Sequence, residues 1–324
     1  MNTIANPVIW GYLAGAAVLL AGLATVFLSG AWHKAGALDR LLLLAPLAYA
    51  APLAAFGSEH FTLTRSIAPM VPAWIPWPLF WTYFVGTCFI LAAVSLATRI
   101  QIRLAASLLA LNFFAFVLLM DAPAWVHHPD NRFALALLLR ELALAGGPLA
   151  LAASLSKGWR KQYGTLLGRY FVAVAVLFYG IELFLHGNYV PAVPLNRITP
   201  TWIFGHAVWT YATAAVYVAA GIPLLLGKRT RSAAACIGLA AFAVVLFVYV
   251  PIGIVDRASI AQGLDYLGDT VMFCGTVWLL AAAMPGRQEA VRPPAAAALQ
   301  AEDERQGGAY ASSHTRTRGH SPSR

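Results

Sequence analysis

Residues 103–123, RLAASLLALNFFAFVLLMDAP, and residues 231–251, RSAAACIGLAAFAVVLFVYVP, are each apolar over the length a helix needs to cross a bilayer. They also agree in one register. Arg103, Ala105, Ala106, Leu111, Phe114, Ala115 and Pro123 match Arg231, Ala233, Ala234, Leu239, Phe242, Ala243 and Pro251 at a constant shift of 128 residues. Upstream, Pro72, Trp74, Ile75, Trp81, Thr82 and Tyr83 match Pro200, Trp202, Ile203, Trp209, Thr210 and Tyr211 at the same shift. Gly57, Glu59 and Phe61 match Gly180, Glu182 and Phe184 at a shift of 123, so one connection differs in length by five residues. Apolar helices resemble one another by composition alone, but matched Pro, Trp, Glu and Arg in a single register do not follow from composition. The chain reads as a tandem duplication.

Working outward, 60% of the 324 residues are apolar or aromatic and only 11% are charged, with a mean hydropathy of +0.69. No soluble domain hides that much apolar surface. The expected fold is an all-α integral membrane protein with about nine transmembrane helices, near residues 8–30, 40–58, 79–97, 103–120, 132–153, 166–186, 203–226, 232–249 and 264–284. The first run lacks a basic leader and is long for a signal-peptide core, so it is read as a retained helix, with Gly11xxxGly15 as a packing face. This gives an N-terminal helix (1–38), two four-helix repeats (39–158 and 159–285), and a tail (286–324) whose Pro, Ala, Ser and mixed charge predict a disordered cytoplasmic segment. Four helices is an even number, so both copies cross in the same sense, related by an axis along the membrane normal.

The net charge of +9 lies in short clusters between apolar runs, which marks topology and excludes a nucleic-acid surface. Lys34, Arg40, Arg99, Arg103, Lys157, Arg160, Lys161, Arg169, Lys228, Arg229, Arg231 and six tail arginines share one side, against Arg65, Arg132, Arg197 and Arg257 on the other. The positive-inside rule then places the chain in the plasma (inner) membrane with its N-terminus outside and its C-terminus in the cytoplasm. Cys88, Cys236 and Cys274 are isolated, which argues against a disulfide framework or dithiol chemistry.

Charges inside a bilayer are costly and normally face a bundle interior. Glu59 and Glu182 occupy equivalent first helices of the repeats, and Glu141 and Asp269 match at 128 residues on the fourth helices. These four acids are the candidate proton-handling, catalytic groups, near the outer side or midplane. His60, Arg140, His186, His206, Trp81 and Trp209 are the candidate ligand-binding residues around them. Glu182 and His186 share a helix face, as do Asp265 and Asp269. The expectation is a polar pocket in each repeat. Structural ion pairs inherited with the duplication are the plainer alternative, and Asp256, Arg257 and Asp265 read as helix-end charges. No spacing of HxxxH or HxH type brings the histidines together, so no metal site is predicted. The connection over residues 65–78 is too proline-rich for a regular helix and reads as an aromatic belt or as a lid over a lipophilic ligand.

Gly57, Glu59, His60, Phe61, Ile67, Met70, Val71, Pro72, Pro76 and Pro78, the helix opening with Trp81 and Tyr83, and the basic turn at Arg99 and Arg103 together resemble the DoxX family of small four-helix membrane proteins. The second copy departs from the pattern, with Leu183 in the place of His60 and a longer loop. The resemblance covers residues 40–284 as two DoxX-like units. It implies a four-helix bundle per unit and a redox-associated role, with a quinone as the cofactor and a redox partner protein as electron source. It supplies no catalytic residue to carry over. A carrier or binding protein for a lipophilic molecule or ion is the alternative from another class, and a structural scaffold is a third.

Overall fold

A computed structural model of the chain describes residues 7–191, 198–255 and 260–285, with the side chains of 7–8 and 260–265 left out. Among the described residues it is helical with no β-strand, and nine helices are long and apolar enough to cross a membrane. They are α1 (Pro7–Leu28), α2 (Ala37–Thr62), α3 (Pro78–Thr98), α4 (Ile102–His127), α5 (Arg132–Ser154), α6 (Trp159–Leu185), α7 (His206–Leu225), α8 (Thr230–Val255) and α9 (Ile260–Ala283). The protein is an integral membrane protein of the all-α class. The tail, Arg197, Asp256, Arg257 and the side chain of Asp265 lie outside the described residues.

Each helix packs on its neighbour in sequence from α2 to α9, and α9 packs back on α2, closing a ring. Across the middle of the ring α5 meets α9. Exchanging α2–α5 with α6–α9 turns every one of these contacts into another of them. The fourth helix of each set lies against the first helix of the other set, so the two sets form one compact body rather than two separate domains. Outside the ring α1 lies on α2 and α3. Gly11 and Gly15 of α1 face the backbone carbonyls of Ala55 and Ala51, so the small-residue spacing noted in the sequence is a packing face.

Backbone irregularities recur at the same spacing as the sequence matches. Positive φ occurs at Gly30, Trp77, Arg99 and Gln101, and again 128 residues later at Gly158, Gly205, Gly227 and Arg229. This recurrence reaches back to Gly30, ahead of the boundary at residue 39. The π-helical turns Val117–Asp121 and Val245–Tyr249 obey the same spacing. In each, an amide donates to a carbonyl five residues back, Ala122 to Val117 and Val250 to Val245, and a proline follows at once, Pro123 or Pro251. A proline lacks an N–H and its ring collides with the carbonyl four residues earlier; widening the preceding turn moves that carbonyl aside. This is why α4 and α8 continue to His127 and Val255, beyond the expected ends near 120 and 249.

In a bilayer every backbone group needs an internal partner. Pro148 inside α5 deprives the Leu144 carbonyl of its donor, and the buried Tyr49 hydroxyl on α2 donates to it at 2.9 Å. Close approach of α9 to α2 depends on Gly275, where a Cβ would fall 2.4 Å from the Tyr49 amide nitrogen. Gly275→Val therefore abolishes a monodisperse gel-filtration peak in detergent. Gly253→Ala on α8, where an added Cβ meets nothing within 4 Å, leaves the peak and the thermal midpoint within error of wild type.

Candidate functional site

The helices α2, α3, α4, α5 and α9 border a half-open cavity of about 580 Å³. Its walls are largely aromatic and aliphatic, including Phe56, Phe89, Phe113, Phe116 and Trp81. Ile67, Met70, Val71, Pro72 and Ile75 of the proline-rich connection also line it, while Trp74 and Trp77 point outward and are exposed. One segment thus has a covering face and an exposed aromatic face. A turn of α-helix at Thr64–Ile67 and a 3-10 turn at Ala68–Met70 shape it.

Of the ten candidate residues, six line this cavity: Glu59, His60, Trp81, Arg140, Glu141 and Asp269. Arg140 sits on α5 and reaches two carboxylates at once. Its Nη2 donates to Glu141 at 2.7 Å and its Nη1 donates to Asp269 of α9 at 2.6 Å. The acids that match at 128 residues therefore share one guanidinium where α5 and α9 cross. The residue 128 positions after Arg140 is Gly268, and a Cβ there would lie 3.0 Å from the Phe56 ring. Only one copy can fill this crossing. Asp269, expected in a second pocket, belongs to the first.

His60 Nδ1 lies 2.7 Å from the Phe56 carbonyl, an atom that only accepts, so Nδ1 carries a proton and the neutral ring offers Nε2 as an acceptor. The ring stands edge-on to Phe89. Glu59 lies at the rim beside α1, its Oε1 being 3.5 Å from where a Gly11 Cβ would stand.

Two lining residues escaped the sequence reading. Asp121 ends the π-turn of α4, and Asn112 lies between the apolar matches of that helix. The signal for Asp121 was the acid two residues before a matched proline, with Tyr249 at the equivalent place. Four buried polar atoms of the cavity-lining residues have no protein partner: Asn112 Nδ2, Asp121 Oδ2, Arg140 Nε and Glu141 Oε2. Each costs about 1–3 kcal/mol if left unsatisfied in an apolar setting. Two donors and two acceptors in one cavity describe a place for a polar group.

The remaining candidates do not converge here. Glu182 on α6 accepts from Arg132 Nε of α5 at 2.8 Å, and His186 Nδ1 lies 2.8 Å from Arg132 Nη2 and 3.4 Å from the Glu182 carboxylate. Arg132, Glu182 and His186 form one polar set between the start of α5 and the end of α6. His206 opens α7 and Trp209 stacks on Phe247. Where the first set has Phe56, Phe89 and Asp121, the second has Tyr179, Tyr217 and Tyr249, whose side chains are fully buried. Tyr179 and Tyr217 pack on Phe273, and Tyr249 packs on Tyr266, filling that interior with rings.

Comparison of the chain with family models, curated proteins and solved structures gives no match.

Removing one partner of a buried ion set strands the others, whereas replacing the whole set is tolerated. Arg140→Met should lower the unfolding free energy by roughly 3–5 kcal/mol. Adding Glu141→Gln and Asp269→Asn should restore most of it. Arg132→Gln, at a side chain 39% exposed, should cost no more than about 1 kcal/mol. Denaturant unfolding in mixed micelles reads all three.

Proposed function

We propose that the chain is a tandem DoxX-like protein of the plasma membrane, N-terminus outside and C-terminus in the cytoplasm. On this reading it serves a redox-linked membrane system by holding a lipophilic molecule of quinone type in the cavity between α2, α3, α4, α5 and α9. The single observation that carries the reading is the set of four unpartnered polar atoms in one apolar-walled cavity. Ligand sites of small molecules are mostly apolar with a few convergent polar groups.

The residues fit a quinone head. Asn112 Nδ2 and Arg140 Nε are donors, and Asp121 Oδ2 and Glu141 Oε2 acceptors, buried in residues that line the cavity and without a protein partner, and a turn of those side chains would bring them to the carbonyl or hydroxyl oxygens of a quinone. A bound quinone would supply two-electron, two-proton chemistry, with the electrons coming from a redox partner protein. Around it, Arg140 fixes the position of Glu141 and Asp269, and the carboxyl groups hold or release protons at Oδ and Oε atoms. The aromatic walls and the loop of residues 67–75 exclude water.

One feature supports a carrier as the second reading. Asp121 and Glu141 line the cavity beside the Arg140 guanidinium, and carboxyl groups gathered in a cavity within the membrane suit exchange of protons or a cation. A carrier would exchange them across the bilayer.

Titration with a short-chain benzoquinone, followed by tryptophan fluorescence quenching at Trp81, distinguishes these readings. Saturable quenching weakened at least about tenfold by Asp121→Asn with Glu141→Gln, equivalent to about 1.4 kcal/mol, is the expected result. Glu182→Gln should leave it unchanged. Absence of quinone binding together with donor-independent proton uptake into proteoliposomes would replace the redox reading with the carrier.

A further inference from the structure

A second cavity, of about 500 Å³, lies at the end of the bundle remote from Glu59, between the α3–α4 turn and the α5–α6 turn. Arg99, Arg103 and Arg160 line it, with the hydroxyls of Ser107 and Ser156. Among the described residues none of these arginines forms an ion pair with a carboxylate: Arg99 donates to the Leu43 carbonyl, and Arg160 stacks on Trp159. The contrast with the second copy is informative. Arg231, which stands 128 residues after Arg103, is paired with Asp39. One arginine of the matched pair is balanced within the chain and the other is left among like charges.

The same place holds the start of α4. Gln101 precedes the helix with left-handed backbone and makes no side-chain cap, so the amides of Ile102, Arg103 and Leu104, all on the cavity wall, have no capping partner there. An uncapped helix start beside three guanidinium groups suits a phosphate.

Gln101 and Leu104 also line a groove of about 480 Å³ that runs between α3 and α4. Its walls extend from Ser95 to Phe84 on α3 and from Leu104 to Ala115 on α4, and include Leu91, Leu108 and Leu111, which are exposed at the bundle surface. Eleven residues of helix rise about 16 Å, half of the roughly 30 Å hydrocarbon thickness, which is the reach of one leaflet. A charged seat at headgroup level opening into an apolar track one leaflet deep has the shape of a phospholipid.

We propose that an anionic phospholipid binds here, its phosphate held by Arg99, Arg103, Arg160 and the α4 amides, and one acyl chain lying in the groove between α3 and α4. The charged seat lies at the opposite end of the bundle from Arg140, while the far end of the groove shares Phe84, Phe89, Asn112 and Ala115 with that cavity.

Native mass spectrometry of the full-length protein released from mild detergent tests it, with phosphatidylglycerol, phosphatidylcholine or glycerol phosphate offered at equal concentration. Wild type should retain one phosphatidylglycerol in preference to phosphatidylcholine. Each arginine removed should weaken retention about fivefold, so R103Q/R160Q loses it. Leu108→Trp, which fills the groove without touching the charges, should also lose it, and R231Q should retain it. Equal retention by R103Q/R160Q and wild type, equal loss in R231Q, indifference to headgroup charge, or glycerol phosphate competing as well as the lipid would each overturn the proposal.

Discussion

A guanidinium buried in a membrane bundle needs counter-charges, and Arg140 takes them from two helices, its own α5 and the facing α9. These are the helices that cross at the centre of the ring. The contact ties the two halves together where each would otherwise present a carboxyl group to its neighbour. It also consumes both Nη atoms, and so leaves Nε of Arg140 and Oε2 of Glu141 among the unpartnered atoms of the cavity-lining residues. The polar character of the cavity follows from this one arrangement, and its apolar walls follow from the aromatic residues of α2, α3 and α4.

The halves share helix contacts, π-turns and positive-φ positions, yet their interiors differ. Tyr179, Tyr217 and Tyr249 occupy one, while Phe56, Phe89 and Asp121 leave room in the other. At the opposite end, Asp39 balances Arg231, whereas among the described residues Arg103 forms no ion pair. Duplication supplies two frames, and a handful of side-chain differences leave one frame as packing and the other as a candidate site.

Much of the fold was legible because bilayer insertion writes itself as long apolar runs, and because matched residues such as Trp81 and Trp209 survive in register. The helices run past the ends expected near 120 and 249, because the π-turns that accommodate Pro123 and Pro251 have no strong sequence mark. Within the site, the matched acids Glu141 and Asp269 were found by their spacing. Their convergence on one arginine was not, because it depends on α5 crossing α9 rather than on either repeat alone. Asp121 is not marked by the sequence because it falls just past residue 120, where the helix is expected to end, although α4 continues to His127. Glu182 was grouped with the site by its match to Glu59, although Arg132, a helix-start residue on α5, is near enough in space to neutralise it.

A polar cavity lies inside the bundle beside Arg140 and the two carboxylates it bridges. An electron cryo-microscopy map of the protein extracted with its native lipids would examine that chamber directly. Non-protein density within hydrogen-bonding reach of Asn112, Asp121 and Glu141, with Arg140 bridging Glu141 and Asp269, is the predicted result. A collapsed, featureless interior with those carboxyl groups turned toward the acyl chains would contradict it.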